Sequence, residues 1–253
     1  MQPELHIGPL TIQTFGICFG AGFVVAGAVV ARRLRELGRP IDWAYELIFA
    51  GLLGGLVGAR LDYLLQNWSK VHHHLLSNLF SGSGLVWYGG VIGGILGVCL
   101  WAWRRGFLGL TLLDVAAVPL SVGYAIGRIG CQVSGDGDYG KPSHLPWAMS
   151  YPHGTVPTTT RVQPTPVYET LAMGAVALVL WNLRDRFRPG VLFALYLVLS
   201  GVERLLVEFI RRNKHVALGL TLPQLISIVM IAAGAAWLVA MRQARPLAAA
   251  GSG

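Results

Sequence analysis

Gly58-Ala59-Arg60-Leu61-Asp62-Tyr63 sets an arginine and an aspartate inside a run of glycine and apolar residues, 43–65, that is otherwise suited to crossing a bilayer. A charged side chain near the bilayer centre costs roughly 2.5–3.5 kcal/mol on insertion scales. Charges retained against such a cost face a polar interior. The same combination of glycine, aromatic residues and charge recurs at Trp87-Tyr88-Gly89-Gly90, at Gly127-Arg128-Ile129-Gly130-Cys131, and at Glu203-Arg204 with Glu208. The chain therefore reads as an all-α, polytopic membrane protein with a polar site inside it.

Composition agrees. Of 253 residues, 54% are hydrophobic and 13% charged, whereas soluble domains carry about 25% charged residues. The formal net charge is +8. Its arginines gather at the ends of apolar segments, which points to topology and anionic lipid rather than to nucleic acid. Cys18, Cys99 and Cys131 form no CxxC pair, so neither a disulfide framework nor a zinc site is expected. No arginine or lysine precedes Arg32, so a cleavable signal peptide is not expected either.

Seven apolar segments have lengths near the ~20 residues a bilayer requires: 10–31, 43–65, 85–103, 108–133, 165–183, 190–210 and 221–241. They define a single integral membrane domain over 1–246, with a polar insert at 134–163 and a small-residue tail at 247–253. Gly51/Gly55, Gly54/Gly58, Gly89/Gly93, Gly90/Gly94 and Gly123/Gly127 have the GxxxG spacing that lets helix backbones approach closely. With the N-terminus outside, Arg32, Arg33, Arg35, Arg39, Arg104, Arg105, Arg184, Arg186, Arg188, Arg242 and Arg245 fall inside. Only Lys70, Lys141, Arg161, Arg211, Arg212 and Lys214 fall outside. The positive-inside rule thus favours an outer N-terminus and a cytoplasmic C-terminus. Arg211, Arg212 and Lys214 break the trend, and read either as a phosphate-binding rim or as a solvated helix end.

This topology gathers Arg60, Tyr88, Arg128, Glu169, Arg204 and Glu208 toward the outer leaflet. Arg204 and Glu208, four apart, share a helix face. Arginines in excess of their nearest acids suit an anion, because a guanidinium donates several hydrogen bonds in one plane. A set of structural ion pairs is the competing reading. In the insert, Asp136, Asp138 and His144 lack a matching metal-ligand cluster, and His72-His73-His74 reads as an interfacial loop, so no metal and no cofactor are expected.

The order of these motifs resembles one family, the bacterial prolipoprotein diacylglyceryl transferases, over about residues 7–242. The matching segments are Ile7-Gly8-Pro9, Gly58-Ala59-Arg60 with Tyr63, Tyr88-Gly89-Gly90-Val91-Ile92-Gly93, and Gly127-Arg128-Ile129-Gly130 with Gly135 and Gly140. They continue with Gln163-Pro164-Thr165-Pro166-Val167-Tyr168-Glu169, Gly201-Val202-Glu203-Arg204 through Glu208-Phe209, and Pro223-Gln224-Leu225-Ile226-Ser227. The resemblance implies transfer of diacylglyceryl from phosphatidylglycerol to the lipobox cysteine of a preprolipoprotein, with a thioether formed and glycerol phosphate released. It implies a location in the bacterial inner membrane. By the same resemblance Arg128 and Arg204 bind phosphate and stabilise the leaving group, and Glu208 orients Arg204. Tyr88 belongs with them in the catalytic set, and Arg60, Gly89, Gly90, Cys131 and Glu169 fall on the substrate side.

Four positions depart from the family pattern. Tyr88 stands where the family has histidine, Cys131 where it has asparagine, and Phe15 where tyrosine is usual. One extra residue lies among Gly135, Asp136, Gly137, Asp138 and Tyr139. The proton acceptor for the thiol is therefore open among Asp136, His153, and ionisation beside Arg128 and Arg204 without a dedicated base. A diverged relative that binds phosphatidylglycerol without this transfer, and a small membrane transporter, are the alternative functions.

Overall fold

The computed structural model describes residues 2–8, 10–68, 86–217 and 219–243. Lys70, His72-His73-His74 and the tail 247–253 lie outside the described residues. Among the described residues are seven helices: α1 (Thr14–Glu36), α2 (Asp42–Gln66), α3 (Trp87–Arg104), α4 (Leu110–Ser134), α5 (Thr165–Leu183), α6 (Val191–Glu208) and α7 (Leu222–Gln243). α1, α2, α4, α5 and α7 are long and apolar enough to cross a membrane. α6 carries Glu203, Arg204 and Glu208, and α3, of the same length, is diluted by glycine and ends on Arg104.

The all-helical expectation needs amending, because three antiparallel hairpins interleave with the helices. They are β1 (Glu4–Ile7) with β2 (Leu10–Gln13), β3 (Met149–Tyr151) with β4 (Thr158–Val162), and β5 (His215–Ala217) with β6 (Leu220–Thr221). Residues 10–13, expected to open the first span, instead pair in register with 4–7. Hydropathy alone does not separate a short apolar strand from the first turn of an apolar helix.

The chain forms two compact units, residues 1–29 with 113–253, and residues 30–112. In the second unit, α2 and α3 pack backbone to backbone. A Cβ added at Gly58 would lie 2.3 Å from the Gly89 carbonyl oxygen, and one at Gly54 would lie 2.4 Å from that of Gly93. No side chain fits there, which is the physical reason for glycine at every fourth position. Asp62 has a structural task in this pair. Its Oδ2 accepts the Gly89 amide at 3.0 Å, in the first turn of α3, where helix amides lack intrahelical partners. At the opposite end, Glu46 Oε2 accepts from Trp101 Nε1 at 2.7 Å and from Arg105 Nε at 2.8 Å. Trp43 packs edge-on to Trp101 and beside Phe107, with the Arg39 guanidinium over Trp43 and Phe107. Such an aromatic and arginine cluster suits a membrane–water interface.

The first unit has its apolar core at Ala117, Val118, Ala177, Leu180 and Leu192, from α4, α5 and α6. α6 and α7 cross closely: a Cβ at Gly234 would come 2.7 Å from the Ala194 carbonyl oxygen, and one at Gly201 3.0 Å from that of Ser227. Asp114 repeats the capping arrangement of Asp62. Its two carboxylate oxygens accept the amides of Gly190 (2.7 Å) and Phe193 (2.8 Å) at the start of α6. The polar segment after α4 is folded. Tyr139 stacks on Tyr151 at 4.8 Å beside buried Val162, and Tyr139 Oη donates to the Val156 carbonyl at 3.0 Å. Gly140 and Lys141 donate their amides to Gln163 and Ile210, both at 2.8 Å. These bonds hold the 138–141 segment against the ends of α5 and α6.

Candidate functional site

The first unit holds a connected network of guanidinium and carboxylate groups. At its centre is Glu169, one turn into α5, with a side chain 0% exposed. Pro164 precedes α5 and Pro166 lies in its first turn, positions where proline's missing amide costs no hydrogen bond. The helix therefore starts sharply and carries Glu169 into the interior. Glu169 Oε1 accepts from Arg204 Nη1 at 2.7 Å, Tyr124 Oη at 3.0 Å and Arg211 Nη1 at 3.2 Å. Its Oε2 is 3.3 Å from Arg128 Nε and 3.2 Å from Arg211 Nη1. Three arginines thus meet one buried carboxylate.

Two more acids close the network. Asp138 pairs with both Arg128 and Arg211. Burial pushes its carboxyl upward, but Arg211 and Arg128 outweigh that and hold it below the usual carboxylate range. Glu208 Oε2 is 3.0 Å from Arg204 Nη2. Glu208 Oε1 accepts from Asn213 Nδ2 and Thr221 Oγ1, both at 2.7 Å. Arg128 also lies 4.8 Å over the Tyr124 ring, a further cation contact. Glu203, 7% exposed on the same helix as Arg204, keeps Oε1 buried with no hydrogen-bond partner among the described residues.

Of the residues singled out by sequence, Arg128, Glu169, Arg204 and Glu208 are joined directly. Cys131 is buried beside them, with Sγ 3.8 Å from Arg128 Nη1. Arg60, Tyr88, Gly89 and Gly90 belong to the other unit. There Arg60 is buried with its guanidinium 5.0 Å from the Tyr63 ring, and Tyr88 is 44% exposed. The Cα face of Gly89 is taken up by α2, where an added Cβ would lie 2.4 Å from the Gly58 carbonyl oxygen, whereas one at Gly90 would make ordinary contact, 3.5 Å from the Ala59 side chain. Helix packing therefore accounts for Gly89.

Three expectations change. Arg211 is no solvated rim residue, since it is 8% exposed and bonded to Glu169 and Asp138. Arg204, Glu208 and Arg211 fall at i, i+4 and i+7, and that helical stripe is the signal that marks Arg211. The expected surplus of arginine is absent from this network, where Arg128, Arg204 and Arg211 face Asp138, Glu169 and Glu208. Asp136 and Asp138 do find a third companion in Cys131, with potential ligand atoms within 4.8 Å of one another. Arg128 and Arg211 already pair with Asp138 there, which opposes a cation.

An arginine fork held by two carboxylates, as Arg204 is by Glu169 and Glu208, is oriented before any ligand arrives. Apolar membrane-length helices around such a network define the class, an integral-membrane protein with a buried network of guanidinium and carboxylate groups. The comparisons with known proteins give the family. The family described as prolipoprotein diacylglyceryl transferase matches residues 3–240. The chain is 34% identical over 231 residues to the phosphatidylglycerol–prolipoprotein diacylglyceryl transferase of Leptospira interrogans, covering 81% of this chain and 73% of that one. It is 31% identical over 250 residues to the protein of that name in Methylococcus capsulatus, covering 93% of both chains. A Clostridium tetani protein of the same name is 29% identical, over 83% of this chain and 86% of that one. The chain belongs to the prolipoprotein diacylglyceryl transferase family.

Proposed function

We propose that this protein is a phosphatidylglycerol–prolipoprotein diacylglyceryl transferase of the bacterial inner membrane. It takes phosphatidylglycerol as donor and the lipobox cysteine of a preprolipoprotein as acceptor. The thiol sulfur attacks the terminal glycerol carbon of the diacylglyceryl group, and the bond from that carbon to the phosphate oxygen breaks. The electron pair leaves with glycerol phosphate, and the thiol proton passes to a base or to water. The observation that carries the reading is the convergence of Arg128, Arg204 and Arg211 on buried Glu169, in a chain matched by the family from residue 3 to residue 240.

In this reading Arg128 and Arg204 hold the phosphate and stabilise charge on the departing oxygen, which is where a prearranged donor contributes most to rate. Glu208 orients Arg204, Glu169 holds the arginine forks in one place, and Cys131 borders the substrate. Arg60, Tyr88, Gly89 and Gly90 take their substrate-side and catalytic roles from the family resemblance alone. Residues 1–246 insert as one domain of seven spans with an outer N-terminus, a cytoplasmic C-terminus and the 134–163 insert outside. This topology rests on the distribution of arginine between loops.

The test uses purified protein in phosphatidylglycerol vesicles with a lipobox peptide, read by mass spectrometry. A diacylglyceryl mass on the cysteine is the expected result. An unmodified peptide, with folded protein that still binds the lipid, overturns the reading in favour of a diverged lipid-binding relative.

A further inference from the structure

Beside the network lies a cavity of about 350 Å³ in the first unit, lined by Gly137, Asp138, Tyr139, Arg211, Arg212 and Asn213. That volume falls within the ~300–1,000 Å³ of small-ligand sites. Two of its polar groups are already committed, because Asp138 and Arg211 pair with each other. Arg212 is different. It stacks over the Tyr139 ring at 4.5 Å and forms no ion pair among the described residues. Within the lining Asp138 and Arg211 offset each other, which leaves Arg212 as the lining cation with no acid partner among the described residues. Tyr139 is itself fixed by Tyr151 and by the Val156 carbonyl, so the guanidinium has a rigid platform. Asn213 spends its Nδ2 on Glu208, which turns its Oδ1 into an acceptor with no donor among the described residues.

An exposed guanidinium stacked on Tyr139, beside an acceptor for a hydroxyl group, suits a phosphate ester of a polyol. We propose that this cavity binds the glycerol phosphate group, with Arg212 on the phosphoryl oxygens and Asn213 Oδ1 on a glycerol hydroxyl. The proposal rests on the transferase reading above for the origin of that group, as a lipid headgroup or as the released product. A cavity that borders the network and carries one spare guanidinium gives the anion a defined place to go as it leaves Arg128 and Arg204.

The test titrates sn-glycerol 1-phosphate into the detergent-solubilised full chain by calorimetry, without peptide. Wild type binds, and glycerol alone does not. Arg212→Ala weakens binding about tenfold or more, as expected for loss of a charge-assisted hydrogen bond, and Arg212→Lys weakens it less. Lys214→Ala, an exposed cation outside the lining, leaves binding unchanged. No binding by wild type, equal binding by Arg212→Ala, or an equal loss in Lys214→Ala overturns the proposal. A second arm measures KM for phosphatidylglycerol and inhibition of transfer by glycerol phosphate. An Arg212→Ala effect on KM assigns the cavity to the lipid headgroup, and an effect on inhibition assigns it to the released product. Binding through Arg212 without any peptide modification keeps the cavity and removes the transferase reading. Transfer with binding indifferent to Arg212 does the reverse.

Discussion

Arg204 Nη1 donates to Glu169 Oε1 at 2.7 Å while Arg204 Nη2 lies 3.0 Å from Glu208. One guanidinium is therefore held at both ends of its fork, by carboxylates from two helices. Arginine is suited to this because its donors are planar and rigid, and lysine offers only a point charge. Arg204→Lys is therefore expected to lose transfer almost as fully as Arg204→Ala. Arg128→Ala and Arg204→Ala are each expected to reduce the rate by at least about 100-fold, the scale of losing an electrostatic stabiliser in an active site. Peptide mass measured over time, with membrane insertion verified by fractionation, checks both. Activity retained in both alanine variants removes the phosphate-site assignment.

Glu169→Ala leaves Arg128, Arg204 and Arg211 facing one another without their shared carboxylate. Removing one partner of a buried charge pair costs about 3–5 kcal/mol. The variant is expected to unfold at a clearly lower temperature in detergent and to lose transfer. Glu169→Gln keeps an acceptor for one or two donors and is expected to fall between the two. Indistinguishable melting of wild type and Glu169→Ala contradicts the central role of this side chain.

Asp138 gives a pH signature. Its folded-state carboxyl sits below the ordinary range because Arg211 and Arg128 outweigh the opposing effect of burial. The ordinary value is near 3.9. A depressed folded value means that this stabilisation is fully present above about pH 4 and is lost as pH falls through the folded-state value. Thermal unfolding of wild type and Asp138→Asn is therefore expected to differ at pH 7 and to converge at strongly acidic pH. A difference that grows on acidification has the wrong sign and overturns the pairing.

Gly58→Ala tests the packing of the second unit. The added methyl would lie 2.3 Å from the Gly89 carbonyl oxygen, so the helices must part. Overpacking of this kind costs typically about 1–3 kcal/mol. The denaturant or temperature midpoint in detergent should fall accordingly, whereas Gly16→Ala, with open space at its Cα, should lower it by much less.

Tyr88 stands at the position where the family resemblance expects histidine. If its hydroxyl only hydrogen-bonds to lipid, Tyr88→Phe lowers transfer by less than about tenfold, the scale of one neutral hydrogen bond. A complete loss of transfer gives that hydroxyl a chemical role.

Much of the architecture was legible in the chain. Each of the seven apolar runs overlaps one of the seven described helices, with ends that differ by up to about five residues, and five of those helices are long and apolar enough to cross a membrane. Arg128, Arg204, Glu169 and Glu208 stood out as charges where charge is expensive. The hairpins at 4–13, 149–162 and 215–221 were missed, since their strands are too short for a periodic pattern.

What the sequence determined by itself is the helical membrane class, the spacing of glycines along α2 and α3, and the candidates for buried charge. All three follow from period and hydropathy, which act along the chain. The pairing of those charges was decided only by tertiary structure. Asp62 and Asp114 resemble Glu169 in being acids within apolar segments, yet the first two accept helix amides while the third gathers three arginines. Arg211 and Arg212 are neighbours in sequence, yet one is buried against Glu169 and the other is exposed and stacked over Tyr139. Spacing along one helix fixes which side chains share a face, but the partner that meets that face comes from a distant segment and is set by how the helices pack.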